Sequence, residues 1–235
     1  MRRCPRLLGT VLAALTLCAA PVCTSSAAHA AEHHTIVLTF VRHAQSAANA
    51  AGLIDTSVPG PDITAAGYGQ ALGVASQLSV NRYDGIYAST MVRTQETAGP
   101  LAQALGEPVT MLPDLREIEA GQYEGQPDAT PQYRAAPIEW LHGDRSARIP
   151  GSINGDEFES RFNDAVKTIY DSGETNPIAF SHGMSITFWV LMNVKNSDMS
   201  LLSDPLPNAA HVVVTGNPSD GWTLANWNGM PVPAS

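Results

Sequence analysis

Short apolar runs alternate along this chain with longer segments in which apolar residues recur at helical spacing. Largely apolar runs of four to six residues predict buried strands, and they occupy residues 35–40, 83–88, 109–112, 178–181, 212–215 and 222–225. Apolar positions three and four apart predict helices over residues 63–78, 91–105, 133–141, 157–170 and 184–192. We expect Thr64 and Ser89 to cap the first two helices, and the last two strands to form a closing hairpin.

This alternation of strands and helices predicts an α/β fold. It favours a mainly parallel central sheet with helices on both faces, which makes a three-layer sandwich. We predict a single domain over residues 31–235, in which residues 128–155, rich in Pro, Gly and Arg, form an irregular insertion. Two predicted strands are followed by histidines, His43 and His182. Ligands of such sheets bind at the carboxyl ends of the strands, so these histidines are the first indication of a site.

The N-terminus has the three-part order of a secretory signal peptide. Three arginines precede an apolar run at 7–20, and the small-x-small pattern Ala-His-Ala follows at 28–30. We predict that residues 1–30 are removed and that the protein is secreted or lies in the cell envelope. No later stretch reaches the ~18 unbroken apolar residues of a transmembrane helix, so we expect no stable membrane insertion.

All three cysteines lie within the predicted signal peptide, so the mature chain has none. A disulfide framework, a thiolate nucleophile and a cysteine metal site are therefore excluded from the mature protein. A lipid anchor on Cys18 or Cys23 is the alternative, although Leu17 and Val22 before them are larger than such a site requires. The pair Arg2-Arg3 is compatible with twin-arginine export as well as with the general route.

The charge of the chain excludes one class of partner and constrains another. The whole sequence carries a net charge of −9, and without the three leader arginines ten basic residues face 22 acidic ones, a net charge of −12. Such a field repels polyanions, so we expect no nucleic-acid partner. An anionic substrate must instead be held by a local cluster of arginines.

The sequence contains the side chains for phosphoryl transfer next to its predicted strand ends. Guanidinium forks match phosphoryl oxygens, an imidazole can attack phosphorus, and a carboxylic acid can protonate a leaving oxygen. The candidates that follow predicted strands or open the next helix are Arg42, His43, Asn49, Arg93, Glu117, His182 and Gly183. Each has a plain structural explanation by itself, but their convergence at one edge of the sheet points to a small phosphorylated molecule as substrate.

Four sequence motifs are similar to those of the histidine phosphatases, the superfamily of cofactor-dependent phosphoglycerate mutases and acid phosphatases. Residues 42–49 resemble R-H-G-x-[ST]-x-x-N, with Ala44 in place of the usual glycine, and residues 89–98 resemble S-x-x-x-R-x-x-[QE]-T-A. Residues 115–125 resemble L-R-E-x-x-x-G-x-[WY]-E-G, and residues 181–183 match S-H-G. The four motifs occur in the order of the family and span most of the mature chain.

The resemblance implies a role for each candidate residue. His43 would attack phosphorus and form a phosphohistidine, with its other ring nitrogen held as N–H by a backbone carbonyl. Arg42, Arg93 and His182, the last as an imidazolium, would bind the phosphoryl oxygens, and Asn49 and Gly183 would add contacts to the substrate. Glu117 would protonate the leaving alcohol, with Glu119 as its rival. No metal and no cofactor are expected, because the arginines would stabilise the charge.

Alternative functions share this pocket. A phosphoglycerate mutase, a hydrolase of phosphoanhydrides or lipid-linked phosphates, and a phospholigand-binding module without turnover all fit the same residues. Residues 128–155 could cover the site or form an ordinary surface loop. The sequence does not indicate the natural substrate, the pH optimum or the oligomeric state.

Overall fold

A computed structural model describes Met1 and residues 34–233. The chain divides into two units, Met1–Glu32 and His33–Ser235, and the architecture described below belongs to the second. The predicted signal peptide, apart from Met1, lies outside the described residues.

Within residues 34–233, seven strands form one sheet in the order β3-β2-β4-β1-β5-β6-β7. They are β1 Ile36–Arg42, β2 Gly85–Ala88, β3 Val109–Met111, β4 Pro177–Ser181, β5 His211–Asn217, β6 Gly221–Trp227 and β7 Met230–Pro231. The four strands from β3 to β1 are parallel, and β5 to β7 are antiparallel. The predicted α/β fold and its closing hairpin are confirmed, and the short edge strand β7 is an addition.

Among the described residues, six α-helices flank the strands. They are α1 Ala47–Ala51, α2 Ala65–Leu78, α3 Val92–Leu105, α4 Gln132–Leu141, α5 Gly155–Asp171 and α6 Gly183–Asn193. Helix α1 was not predicted because its five residues carry no periodic pattern; Ser46 and Asn49 form a capping box at its start, and Gly52 ends it in the left-handed conformation. In residues 34–233 no helix is long and apolar enough to cross a bilayer.

The side-chain alternation of β1 separates the two apolar cores. Leu38 and Phe40 pack in the core beneath α4, α5 and α6, whereas Val41 packs in the core beneath α2 and α3. Successive side chains of a strand point to opposite faces, so the sheet is covered on both sides as predicted. The carboxyl ends of β1, β2 and β4 remain at one edge, where loops and helix N-termini meet.

The helix caps agree with the predictions in part. The hydroxyl of Thr64 accepts a hydrogen bond from the N–H of Gly67 and caps α2, as predicted. The expectation that Ser89 caps α3 is wrong, because Met91 is the N-cap residue of that helix. Ser89 lies two residues earlier, where its hydroxyl is free to bond a side chain of the neighbouring strand end.

Candidate active site

The predicted site residues gather at the carboxyl ends of the parallel strands. A cavity of about 240 Å³ lies there, and six of the seven candidates line it: Arg42, His43, Asn49, Arg93, Glu117 and Gly183. The seventh, His182, is completely buried beside it, with its ring centroid 5.2 Å from that of His43. Separate strands and helices thus bring all seven to one place.

His43 follows β1 and is held in one tautomer. Its Nδ1 lies 2.7 Å from the carbonyl oxygen of Ala44. Because a carbonyl only accepts hydrogen bonds, Nδ1 carries the hydrogen and Nε2 keeps its lone pair. Burial, followed by the charges of Arg93 and Arg42, holds the pKa of His43 well below its usual value of 6.5. The ring is therefore a neutral imidazole whose free nitrogen can act as a nucleophile.

Two backbone carbonyls orient the guanidinium groups of the site. Nη1 of Arg42 donates to the carbonyl of Leu206 at 2.5 Å, and Nη2 of Arg93 donates to the carbonyl of Asp55 at 3.0 Å. Nε of Arg42, and Nε and Nη1 of Arg93, are buried without a hydrogen-bond partner among the described residues. Since neutral carbonyls rather than carboxylates hold these arginines, their charge is available to an anion.

His182 follows β4 and contacts Ser89, which follows β2. Its Nε2 lies 2.8 Å from Oγ of Ser89, whereas its Nδ1 is buried without a partner among the described residues. The hydroxyl of Ser89 also accepts from the N–H of Met91. Burial and the charge of Arg93 hold the pKa of His182 well below 6.5. The imidazolium form inferred from the resemblance thus requires an added negative charge, such as a phosphate dianion.

Glu117 lies at the N-terminus of α6. Its Oε1 accepts from the backbone N–H groups of Ile118 at 3.0 Å and Ser185 at 2.8 Å, and its Oε2 accepts from the N–H of Met184 at 3.2 Å. Its rival Glu119 instead pairs with Arg116 and Arg161 and does not line the cavity. Of these two glutamates, Glu117 therefore lines the cavity and Glu119 does not.

Asn49 is oriented by a residue that the sequence did not single out. Its Oδ1 accepts from the N–H of Ser46 at 3.2 Å and from Nδ2 of Asn208 at 3.0 Å. Nδ2 of Asn208 also donates to the carbonyl of His43 at 3.1 Å. Because the amide oxygen of Asn49 is engaged, its NH₂ group is the part that can serve the cavity as a neutral donor.

Gly183 is the first residue of α6 and lies against the side chain of Arg42. A Cβ at this position would lie 3.2 Å from Nε and 3.3 Å from Cδ of Arg42. That spacing is tighter than ordinary van der Waals contact. Gly183 therefore lets a guanidinium lie against the first turn of the helix, and its part in the site is to leave room for Arg42.

A match to a family model identifies the family of the chain. The sequence model of the histidine phosphatase superfamily (branch 1) matches residues 38–229, which include all seven candidates. The chain belongs to the histidine phosphatase superfamily.

Relatives of the chain carry different names. It is 44% identical over 221 residues to the PE-PGRS family protein PE_PGRS11 of Mycobacterium tuberculosis, an alignment that covers 86% of this chain but only 38% of that protein. It is 31% identical over 149 residues to the "Probable phosphoglycerate mutase GpmB" of Yersinia pestis, covering 62% of this chain and 69% of the relative. The chain thus spans well under half of the first relative and about two thirds of the second.

Solved structures share its fold. A mycobacterial glucosyl-3-phosphoglycerate phosphatase in complex with VO3 aligns with a TM-score of 0.67 at 20% identity, over 82% of this chain and 98% of its own. A phosphoserine phosphatase of Entamoeba histolytica in complex with 3-phosphoglyceric acid also aligns with a TM-score of 0.67 at 20% identity, over 82% and 96%. At this identity the likeness establishes the fold.

Two further segments of the chain contribute to the lining of the cavity. The first is the predicted insertion 128–155, from which Asp128, Tyr133, Arg134 and Ile138 line the cavity. Within it Tyr133 is buried, and its hydroxyl donates to the carbonyl of Ile118. The second segment, residues 199–206, follows α6 and contributes Leu201, Leu202, Pro205 and Leu206.

Sequence reasoning missed the residues that support the side chains of the candidate site. The carbonyls of Asp55 and Leu206 have no sequence signal, because every residue carries a carbonyl. Asn208 lies in an irregular loop without periodicity. Ser89 belongs to the second motif and follows β2, which neighbours β4 in the sheet. This position is the signal that could have predicted its contact with His182.

Proposed function

We propose that this protein is a phosphatase that hydrolyses small phosphate monoesters through a phosphohistidine on Nε2 of His43. The observation that carries this proposal is the fixed tautomer of His43 within reach of unpartnered donors. The carbonyl of Ala44 leaves Nε2 as the free nitrogen, and three guanidinium nitrogens together with Nδ1 of His182 have no partner among the described residues. A phosphoryl group supplies the negative oxygens that such donors bind.

In the first step the lone pair of His43 Nε2 forms a bond to phosphorus. The bond from phosphorus to the alcohol oxygen breaks, and Glu117 in its acid form gives that oxygen a proton. The charge that develops on the phosphoryl oxygens is stabilised by donors already in place, which include Arg42 and Arg93. The products of this step are the free alcohol, phosphohistidine and the Glu117 carboxylate.

In the second step water attacks the phosphohistidine. Glu117, now a carboxylate, takes a proton from that water and returns to its acid form, the nitrogen–phosphorus bond breaks, and orthophosphate leaves. The net reaction consumes one water and yields alcohol and phosphate. His43 and Glu117 both end in their starting forms.

This proposal includes independence of metals and cofactors. In phosphoryl-transfer sites that use Mg²⁺, the ion neutralises developing charge, and here Arg42 and Arg93 supply the positive charge. Release of phosphate from p-nitrophenyl phosphate should therefore continue undiminished in the presence of EDTA. Loss of activity that added Mg²⁺ or Zn²⁺ restores would contradict this part of the proposal.

The deciding experiment is a trapping of the phosphoenzyme. Protein mixed with a ³²P-labelled monoester and quenched in alkali should carry an acid-labile label, and His43→Asn should abolish both the label and turnover. His142→Asn is the matched control, because His142 is exposed and outside the cavity. Label that persists in a folded His43→Asn protein would refute the nucleophile assignment.

Phosphoglycerate mutase activity is the second candidate, and the similarity to the Yersinia pestis relative favours it. A mutase returns the phosphoryl group to its substrate, whereas a phosphatase releases it. Conversion of 3-phosphoglycerate to 2-phosphoglycerate without free phosphate would decide for the mutase. Tight phosphate binding without any turnover would decide for the binding module.

We also propose that the enzyme acts outside the cytoplasm, on the basis of the leader-like pattern in residues 1–30. Protein recovered from the medium or the envelope should begin at Ala31 when its N-terminus is sequenced. Retention of Met1 in the cytoplasmic fraction would overturn this localisation. A lipid-modified N-terminus at Cys18 or Cys23 would decide for the anchored form.

A further inference from the structure

The cavity lining contains two chemically different groups of residues. One group carries the donors described above. The other is apolar and consists of Leu53, Ile138, Met184, Phe188, Leu201 and Leu202. A pocket that combines a few convergent polar groups with an apolar lining binds a ligand that has both a polar and an apolar part.

Five of the six residues of this apolar wall belong to the folded core or pack against it, and the sixth, Leu53, is 40% exposed. Its members come from four separate parts of the chain: the loop after α1, helix α4, helix α6 and the 3₁₀ turn Met199–Ser203. Phe188 is a buried core residue, and Ile138, Met184, Leu201 and Leu202 are partly buried and packed against the same core. A wall supported in this way is formed before the ligand binds.

The same backbone segment connects the apolar wall to the phosphate donors. Leu201 and Leu202 lie four to five residues before Leu206, whose carbonyl holds Nη1 of Arg42. The position of the guanidinium and the position of the wall therefore depend on one loop. A substrate that fills the wall contacts the loop that orients Arg42.

The remaining charges around the cavity do not favour a second anionic group. Apart from Arg42 and Arg93, the lining holds one arginine and no lysine among the described residues. That arginine, Arg134, is exposed, and Asp128 and Asp55 line the same cavity. A carboxylate buried against the apolar wall would lack a partner and would lose its hydration, which is costly.

We infer that the preferred substrates are phosphate monoesters of uncharged, apolar alcohols, and not those of hydroxy acids or amino acids. This inference rests on the proposed phosphatase function and adds the class of leaving group. The cavity of about 240 Å³ lies just below the ~300–1,000 Å³ typical of ligand pockets, which suits an aromatic ring or a short alkyl chain. An aryl alcohol and an alkyl alcohol, free or as the end of a lipid, share the chemistry that the wall recognises.

The test is a series of substrates with a constant reacting group. The specificity constant kcat/KM is measured for ethyl, butyl, hexyl and hexadecyl phosphate, for benzyl phosphate, and for phosphoserine and 3-phosphoglycerate. Each buried methylene contributes roughly a three- to four-fold gain, so butyl phosphate should exceed ethyl phosphate about ten-fold. Phosphoserine and 3-phosphoglycerate should be poorer than butyl phosphate. The results with benzyl, hexyl and hexadecyl phosphate show whether the preferred leaving alcohol is a ring, a short alkyl chain or the end of a lipid.

A variant of the apolar wall provides the matched test. Leu202→Asn should reduce the ratio of kcat/KM between butyl and ethyl phosphate to about two, because the longer chain loses its apolar contact. Met230→Asn is the control, since Met230 is 70% exposed and lies on the edge strand β7, outside the cavity. It should keep the wild-type ratio. Circular dichroism checks that both variants fold.

The outcomes separate this inference from the proposed function. Activity on p-nitrophenyl phosphate with no gain from ethyl to butyl, or with phosphoserine or 3-phosphoglycerate as the best substrate, would overturn the apolar leaving group and leave the phosphatase intact. Absence of phosphate release from every ester would overturn the phosphatase itself. An unchanged ratio in Leu202→Asn would also refute the assignment of the wall.

Discussion

The backbone N–H of Ser185 donates to Oε1 of Glu117 at 2.8 Å. This hydrogen bond holds Glu117, the proposed proton donor, against the first turn of α6. The same helix begins with Gly183, which packs against Arg42. One helix N-terminus therefore positions both a carboxyl group and the guanidinium that we propose binds phosphate. Small changes at this turn should act on catalysis more than on folding, and the first two predictions concern it.

Replacement of Glu117 by Gln should lower kcat/KM for alkyl phosphates far more than for p-nitrophenyl phosphate. An alkoxide needs a proton in order to leave, whereas p-nitrophenolate does not. General acid catalysis contributes about 10²- to 10⁴-fold, so kcat/KM for butyl phosphate, which depends only on the steps up to release of the alcohol, should fall by that order. Steady-state kinetics on both substrates measure the difference. Glu119→Gln, outside the cavity, is the control, and an equal loss of kcat/KM on both substrates would argue against a proton donor.

Replacement of Gly183 by Ala should lower kcat/KM about ten-fold, because the added Cβ would lie 3.2 Å from Nε of Arg42 and displace the guanidinium. The inhibition constant of inorganic phosphate should rise in parallel. Gly99→Ala is the matched control, since a Cβ at this exposed position of α3 meets nothing within 4 Å. The prediction fails if both glycine variants show the same kinetics as the wild type.

Asn208 should prove essential although it is not expected to touch the phosphate. Its Nδ2 donates to Oδ1 of Asn49 and to the carbonyl of His43. In Asn208→Asp a carboxylate, which cannot donate a hydrogen bond, would face these two acceptor oxygens. We expect Asn208→Asp to lose more kcat/KM than Asn208→Ala, by roughly ten-fold or more, because burying unpaired acceptors costs about 1–3 kcal/mol.

The control for this pair is Asn226→Asp. The Oδ1 of Asn226 accepts from the N–H of Gly229, and an aspartate keeps that acceptor. Its kinetics should match the wild type. If Asn208→Ala proved worse than Asn208→Asp, the hydrogen bonds assigned to the amide group would be wrong.

The stability of the protein should fall as the pH drops below about 6.5. Burial holds the pKa values of His43 and His182 well below that value in the folded state. Between 6.5 and the lowered folded-state values, the unfolded chain binds more protons than the folded one, so the free energy of unfolding decreases as the pH decreases. Each histidine contributes a slope of up to about 1.4 kcal/mol per pH unit.

Urea unfolding at pH 7.5, 6.5 and 5.5 measures this dependence. His43→Asn should show a shallower loss of stability between pH 6.5 and 5.5 than the wild type. His142→Asn should show the wild-type slope, because His142 is exposed. Identical slopes in all three proteins would show that His43 does not stay neutral when folded.

Local sequence patterns determined the larger part of the fold. Apolar periodicity identified the strands from β1 to β6 and the helices from α2 to α6, because periodicity reflects which face of an element is buried. The sequence did not predict helix α1, because its five residues are too few to form a stable helix by themselves. Its capping box and Gly52 stabilise it, and neither involves a hydrophobic pattern.

By itself, the sequence determined which residue types could carry out phosphoryl transfer, since Arg42, His43, Arg93 and His182 follow strand ends that a parallel sheet must bring together. Only the tertiary structure decided how they are oriented and what surrounds them. The carbonyl that holds Arg42 belongs to Leu206, 164 residues away, and Glu117 rather than Glu119 faces the cavity. Backbone carbonyls are the same at every residue and distant segments meet only after folding, so no local pattern can encode these contacts.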